Sequence, residues 1–223
     1  MYITLFLTLG APLAILIYII RSDKFPEPTN LVLKTFFVGI FLCWPAGYLN
    51  SYIFTFENIF DIDNMSFLAG FTEEPLKFLA FMLFIKHRTE FNEPMDAIVY
   101  GTIISLGFAT LENIDYVYFY NGDYSSFSIA LVRAISAIPL HASVGVIMGY
   151  YIALYVFGGS KKRIVQALLV PIFIHALYNY LTNFGLLLTL VYLFLTIRFA
   201  KSLHNEFIRN QKAKINEEEA KIL

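Results

Sequence analysis

Residues 95–117 read MDAIVYGTIISLGFATLENIDYV. The run is almost wholly apolar and has the length of about 17 to 25 residues that a helix needs to cross a bilayer. It nevertheless keeps a carboxylate, Glu112, within the apolar stretch. A charged residue at bilayer depth costs at least about 2.5 kcal/mol on insertion scales, so it needs a partner or a function. The run therefore predicts a membrane helix that contributes to a polar site.

Six other apolar segments are also long enough to span a membrane. They cover residues 2–20, 31–54, 66–85, 127–157, 164–183 and 185–201. Hydrophobic residues make up 58% of the chain and charged residues only 15%, whereas a soluble domain carries about 25% charge. We predict an all-α fold, a polytopic transmembrane helix bundle of about seven spans.

Two of these segments leave the number of spans open. Residues 127–157 are too long for one span, so part of this segment must lie outside the hydrocarbon or kink at Pro139. Only a short turn separates the last two segments, so a single re-entrant hairpin is the alternative there.

Positive charges predict the orientation of the bundle, because Lys and Arg accumulate in short cytoplasmic loops. They occur in every second loop and in the tail, at Arg21 and Lys24, Lys86 and Arg88, Lys161 to Arg163, and from Arg198 to Lys221. The amino terminus is therefore expected outside and the carboxyl terminus in the cytoplasm. Residues 1–201 are predicted to form the membrane domain, and residues 202–223 a short polar cytoplasmic tail.

Several classes of function are disfavoured by composition and spacing. A net charge of −1 argues against a nucleic-acid partner, which requires a concentrated basic face. The single cysteine, Cys43, has no basic neighbour that would activate it as a nucleophile. The HExxH spacing of zinc proteases is absent, so neither a metal ion nor another cofactor is expected.

The third segment carries the strongest candidate for a site. Glu73 and Glu74 are adjacent, and Lys77 follows four and three residues later. Lys77 lies on the same helix face as both carboxylates but can neutralise only one of them well. The other carboxylate stays available to hold or move a proton. A buried structural ion pair is the non-functional interpretation.

Two histidines lie in the next apolar segments. His141 follows Pro139, and His175 and Asn179 are four residues apart on one helix face. The rise of about 1.5 Å per residue places Glu112 and the two glutamates of the third segment in the same outer part of the membrane. Arg133, near the outer end of its segment, can extend to the interface or pair with a carboxylate, and extension to the interface is the favoured expectation.

These side chains suit hydrolysis of an amide bond. A carboxylate can deprotonate water with help from a histidine, and a His–Asn pair can donate hydrogen bonds to a developing oxyanion. A non-catalytic bundle that binds a partner or passes a proton needs the same buried polar residues, and it remains an alternative.

Four short motifs follow one another on successive predicted helices. They are the EExxK of Glu73, Glu74 and Lys77, the FxxxEN of Phe108, Glu112 and Asn113, the HxxxG of His141 and Gly145, and the HxxxN of His175 and Asn179. Together they resemble the PrsW family of bacterial intramembrane proteases, and the similarity extends over nearly the whole membrane region. The resemblance implies a multi-pass protein of the bacterial cell membrane.

The resemblance also implies a partner and a pathway. The expected substrate is an anti-sigma factor, a single-span membrane protein that is cut at site 1 in response to envelope stress or antimicrobial peptides. That cut starts the release of an extracytoplasmic-function sigma factor. The outer depth of the polar residues predicts cleavage near the extracytoplasmic face of the substrate.

Roles for individual residues follow from a wider resemblance, to the CAAX prenyl proteases and the anterior-pharynx-defective subunit of γ-secretase. It implies that Glu73 activates water, that Glu74 is its structural or electrostatic partner, and that His175 and Asn179 form the oxyanion hole.

The chain departs from the prenyl proteases at two positions. They carry Arg one position after Lys77 and a histidine in place of Glu112, so the residue that assists the base is open. We expect His141, with Glu112 as the second choice, and structural or electrostatic roles for Lys77 and Asn113. A CAAX-type prenyl protease and a non-catalytic scaffold or small transporter are the alternative functions.

Overall fold

The computed structural model describes residues 2–60, 65–119 and 122–222. These residues form eight α-helices and no strand. The helices are α1 (Tyr2–Ser22), α2 (Thr29–Phe60), α3 (Ala69–Ala80), α4 (Pro94–Tyr118), α5 (Ser126–Ile135), α6 (Ala137–Val156), α7 (Arg163–Leu181) and α8 (Leu186–Ile222). The predicted all-α class is confirmed.

Six helices are long and apolar enough to cross a membrane, so the chain is a multi-pass membrane protein. Counted this way, α5 and α6 form one span. The remaining predicted span, residues 66–85, is a less regular stretch. A 3₁₀ turn (Ser66–Leu68) precedes α3, and a π-helical turn (Phe81–Ile85) follows it. The orientation of the termini stays a prediction.

The long segment 127–157 breaks at Ser136, between α5 and α6. The cause is Pro139, because a proline ring clashes with the carbonyl four residues earlier, here that of Ile135. The expected kink is therefore present, one turn before the proline. It gives α5 its own direction and allows Arg133 to face α4.

The centre of the bundle is α4, which packs against α1, α2 and, most extensively, α6. Glycines on α6 allow this close approach. A Cβ atom added at Gly149 would lie 2.1 Å from the carbonyl oxygen of Ala97, and one at Gly145 would lie 2.8 Å from Ser105. Ser105 Oγ donates a hydrogen bond of 2.7 Å to the His141 carbonyl. The contact fixes α6 against the middle of α4.

Two separate helices, α7 and α8, form the end of the bundle. A 3₁₀ turn (Thr182–Phe184) joins them, and Gly185 follows with φ of +107°, a conformation that favours glycine. α8 continues without interruption past residue 201. Its residues Phe207 and Gln211 are buried against the bundle. The division of the chain at residue 201 stays a prediction.

Candidate active site

Two adjacent glutamates and a lysine are buried together on α3. A Cβ atom at Gly70 would lie 2.7 Å from the backbone nitrogen of Ala176, so glycine lets α3 approach α7 closely. Lys77 Nζ lies 2.7 Å from Glu74 Oε1 and 3.5 Å from Glu73 Oε2. All three side chains are at most 2% exposed. Lys77 thus pairs more closely with Glu74 than with Glu73.

A histidine from α7 joins the same carboxylates. His175 Nδ1 lies 2.8 Å from Glu74 Oε1 and 3.9 Å from Glu73 Oε2. Because an ionised carboxylate only accepts hydrogen bonds, the Nδ1 proton of His175 is donated to Glu74. Glu74 therefore receives two hydrogen bonds, from the lysine and from the histidine.

A second histidine, from α6, connects this group to α4. His141 Nδ1 lies 3.1 Å from Lys77 Nζ, and His141 Nε2 lies 2.9 Å from Glu112 Oε2. The ammonium can only donate, so His141 accepts at Nδ1 and carries its proton on Nε2. His141 was expected to assist Glu73. A ring nitrogen of His141 lies within 4.8 Å of a Glu73 oxygen, and His175 Nδ1 is 3.9 Å from Glu73 Oε2. The assisting role of His141 stays a prediction.

Arg133 completes the network on α5. Its Nη2 lies 2.6 Å from Glu112 Oε2, and its Nε donates to Asn113 Oδ1 at 2.9 Å. Asn113 Nδ2 in turn donates to the carbonyl of Thr8 on α1, at 2.8 Å. The favoured expectation that Arg133 extends to the interface is wrong, and the alternative, a pair with a carboxylate, is what the structure shows. The break at Ser136 brings Arg133 to the buried carboxylate of α4.

These contacts define the glutamate–histidine cluster, which comprises Glu73, Glu74, Lys77, Glu112, His141 and His175. The cluster borders a cavity of about 680 Å³. Glu73 lines that cavity, whereas Glu74 and Lys77 do not. Glu73 Oε2 has no hydrogen-bond partner, and Glu73 Oε1 accepts a long hydrogen bond of 3.3 Å from Asn50. Glu74 Oε2 likewise has no hydrogen-bond partner. The two carboxylates therefore differ in their access to the cavity and in the closer contact of Lys77 and His175 with Glu74.

Asn179 lies on the same wall of the cavity as His175, one turn further along α7. Its Nδ2 donates to the carbonyl of Ser66 at 3.1 Å. The structure therefore brings the predicted pair to the cavity, and Asn179 also ties α7 to the turn before α3.

Two polar contributors were not predicted correctly from the sequence, because Asn50 was not singled out and the pairing of Arg133 with a carboxylate was considered but not favoured. Asn50, on α2, contacts Glu73, and Arg133 neutralises Glu112. Both had a detectable signal, because each is a polar residue inside an apolar segment. Arg133 also lies on the side of the membrane where the charge pattern otherwise places no Lys or Arg.

Comparison with known proteins places this network in a family. A model described as "PrsW family intramembrane metalloprotease" matches residues 27–201, which contain every member of the cluster. The chain belongs to the PrsW family. It is accordingly a protease of the membrane interior, from a bacterial family of multi-pass membrane proteins.

Three similar relatives illustrate the match, each named Protease PrsW. The protein of Bacillus subtilis (strain 168) is 36% identical over 177 residues, which cover 76% of this chain and 78% of the relative. That of Oceanobacillus iheyensis is 35% identical, covering 79% and 83%. That of Clostridioides difficile (strain 630) is 31% identical, covering 86% of each chain. No solved structure matches the chain.

The name of the PrsW family model implies a metal ion, and four residues of the cluster are candidate ligands. Glu73, Glu74, His141 and His175 each offer a donor atom, and these atoms lie within 4.8 Å of one another. Carboxylate and imidazole donors are suited to Zn²⁺. However, the Lys77 ammonium contacts three of the four residues. A second cation among them would be repelled, so the four residues as arranged do not fit a resident metal ion.

Proposed function

We propose that this PrsW family member is a glutamic-type intramembrane endopeptidase in which Glu73 activates water. The observation that carries the proposal is the asymmetry of the glutamate pair. Glu73 lines the cavity, and Lys77 Nζ lies 3.5 Å from its Oε2. Glu74 is withdrawn from the cavity and is held by Lys77 and His175. Only one of the two carboxylates is placed to meet water and substrate.

The proposed reaction begins with proton transfer to Glu73. Its carboxylate takes a proton from a cavity water while the water oxygen bonds to the carbonyl carbon of the scissile peptide. The carbonyl oxygen becomes an oxyanion. Glu73 then gives the proton to the peptide nitrogen, the C–N bond breaks, and a carboxylic acid and an amine are released.

His175 and Asn179 are proposed to stabilise the oxyanion. In its imidazolium form, His175 donates a hydrogen bond from Nδ1 to Glu74 and carries a second proton on Nε2. Nε2 forms no hydrogen bond within the described residues, so this second proton can be donated to the oxyanion. Asn179 has a second amide proton besides the one donated to Ser66. One such donor contributes about 10²- to 10³-fold to the rate of an acyl-transfer enzyme.

The other polar residues are proposed to hold this geometry. Lys77 keeps Glu74 ionised, so that Glu74 accepts the hydrogen bond from His175. Lys77 also connects the glutamates to His141. Arg133 neutralises Glu112 at the edge of the cavity. Because these contacts come from five helices, movement of any one of them changes the position of the base.

The proposed substrate is a single-span anti-sigma factor that is cut at site 1, near the extracytoplasmic face, which activates an extracytoplasmic-function sigma factor. Two observations support this choice. The cavity contacts Glu112 in the last two turns of α4, the end that the charge pattern assigns to the outside. Most of the surface area that lines the cavity also belongs to apolar atoms, which suits a hydrophobic substrate helix.

Co-reconstitution in proteoliposomes tests the proposal. A tagged candidate anti-sigma factor is incubated with the wild type or with Glu73→Gln, Glu74→Gln or His175→Ala, and Glu90→Gln serves as the matched control outside the cluster. We expect cleavage by the wild type and the control, at a bond near the outer end of the substrate helix. Folded Glu73→Gln that cleaves at the wild-type rate would refute the role of Glu73.

Two other outcomes would redirect the proposal. A cut at the cytoplasmic end of the substrate helix would contradict the assigned depth of the site. Absence of cleavage by folded wild type over several anti-sigma factors, together with unchanged substrate binding by Glu73→Gln, would favour the non-catalytic scaffold.

A further inference from the structure

A second buried polar group lies at the opposite end of α4. We call it the acidic cluster, and it comprises Asp23 and Glu27 of the α1–α2 loop, Glu93 before α4, and Asp96 in its first turn. Asp96 and Glu112 are 16 residues apart in the sequence, which on one helix separates them by roughly 24 Å. The acidic cluster is therefore distinct from the glutamate–histidine cluster.

Each buried carboxylate of the acidic cluster is held through one oxygen only. Asp96 Oδ2 accepts 2.8 Å hydrogen bonds from the backbone N–H groups of Asn92 and Glu93. Asp23 Oδ1 accepts hydrogen bonds from Phe25 N and Gln211 Nε2. The other oxygen of each, Asp96 Oδ1 and Asp23 Oδ2, is buried without a hydrogen-bond partner.

The carboxylates of the acidic cluster lie close together. Asp23, Glu93 and Asp96 each offer a carboxylate oxygen, and the three oxygens lie within 4.8 Å of one another. The side chains of Asp23 and Asp96 are 94% and 99% buried. Buried charged groups without a partner are strongly disfavoured, and native structures satisfy them with hydrogen bonds, opposite charges or metal ions.

The protein supplies little compensating positive charge here. No ion pair among the described residues includes Asp23, Glu27, Glu93 or Asp96. Lys214 acts on Glu93 at a distance, and its ammonium lies over the ring of Phe25, 5.3 Å from the centroid. The amino terminus of α4 contributes a partial charge of only about +0.5. Three to four carboxylates therefore exceed the local positive charge.

Burial is also evident in the Glu27 carboxyl, whose pKa is raised from its usual value mainly because it is desolvated. The Tyr100 hydroxyl donates a hydrogen bond to Glu27 Oε2, which partly opposes that increase in pKa.

We propose that Asp23, Glu93 and Asp96 form a binding site for a hard divalent cation, Mg²⁺ or Ca²⁺. All available donors are oxygens, which these two ions prefer over nitrogen and sulfur ligands. The ligands come from the α1–α2 loop and from the start of α4. Gln211 of α8 donates hydrogen bonds to both Asp23 and Glu93. A bound ion would therefore fasten the distal part of α8 to the bundle.

Direct titration tests this site on the purified full-length protein after chelator treatment and desalting. Mg²⁺ and Ca²⁺ are each added in a calorimeter, and thermal unfolding is followed by helical circular dichroism. We expect about one ion per chain and a Tm increase of about 5 °C at saturation, because an ion that binds only the folded state stabilises it. Absence of both effects in the wild type would mean that protons neutralise the cluster, and would overturn the proposal.

Variants locate the ion. Asp23→Asn and Glu93→Gln keep a side-chain oxygen that can accept from Gln211 but remove a ligand charge, and each should weaken binding at least tenfold. Glu90→Gln, in the same connecting segment, and Glu73→Gln, in the other cluster, should bind like the wild type. Wild-type binding by both ligand variants, or loss of binding only in Glu73→Gln, would place the ion elsewhere and refute the site.

Discussion

The buried carboxylates at the two ends of α4 differ in the partners that hold them. Near its carboxyl end, Glu112 is paired with Arg133 and His141, and Lys77 pairs with the glutamates of α3. Near its amino end, Asp96 is held by backbone amides and has no paired cation among the described residues. The first arrangement neutralises its own charge and leaves one carboxylate free to handle protons. The second arrangement orients the carboxylate oxygens without neutralising their charge, which is expected of a binding site for an external cation.

The largest expected effect comes from removing the cation of the glutamate–histidine cluster. Lys77→Met leaves two buried carboxylates without their ammonium, and breaking a buried ion pair in this way costs about 3–5 kcal/mol. We expect that loss in the free energy of unfolding measured in mixed micelles, together with loss of cleavage. Lys86→Met, at the end of the same helical stretch, is the control. A stability change below about 1 kcal/mol in Lys77→Met would show that the glutamates do not depend on this charge.

An intermediate effect is expected at the edge of the cavity. Arg133→Met leaves Glu112 with His141 as its only remaining partner, and we expect a loss of about 2 kcal/mol in unfolding free energy. Adding Glu112→Gln should recover most of this loss, because the unpaired charge is then gone. A double-mutant cycle measures the coupling, and strictly additive effects would contradict a direct Arg133–Glu112 pair.

The smallest effect is expected at the acidic cluster. Gln211→Ala removes the hydrogen bonds to Asp23 and Glu93, which corresponds to about 1–2 kcal/mol of unfolding free energy. The substitution leaves all carboxylate ligands in place, so bound Mg²⁺ or Ca²⁺ should still raise the Tm of this variant. Cleavage should remain near the wild-type rate. A cleavage defect as large as that of Lys77→Met would mean that the two ends of α4 are coupled.

Much of the membrane bundle was predictable because apolar length is a local property of the sequence. The segments 2–20, 95–117 and 164–183 correspond to α1, α4 and α7. Segment 66–85 was harder, because its charged residues and the π-helical turn after α3 interrupt the regular pattern of a span.

The candidate site was predictable in part for a different reason. Charged residues in apolar segments are rare, so Glu73, Glu112 and His175 could be identified one at a time. Their partners could not be assigned, because pairs such as Arg133 with Glu112 depend on how helices cross. The acidic cluster shows this most clearly, since Asp23 and Gln211 are 188 residues apart in the sequence.

The central claim is that Lys77, and not a metal ion, neutralises the glutamate pair while Glu73 activates water. Metal analysis of the active protein tests this claim most directly. Full-length protein in proteoliposomes is treated with a chelator selective for transition metals, with Mg²⁺ present throughout so that the acidic cluster is unaffected. Bound metal is then quantified, and substrate cleavage is measured. The account predicts an unchanged cleavage rate with far less than one transition-metal ion per chain, and loss of cleavage in Glu73→Gln. One bound Zn²⁺ per chain, whose removal abolishes cleavage and whose return restores it, would contradict the account.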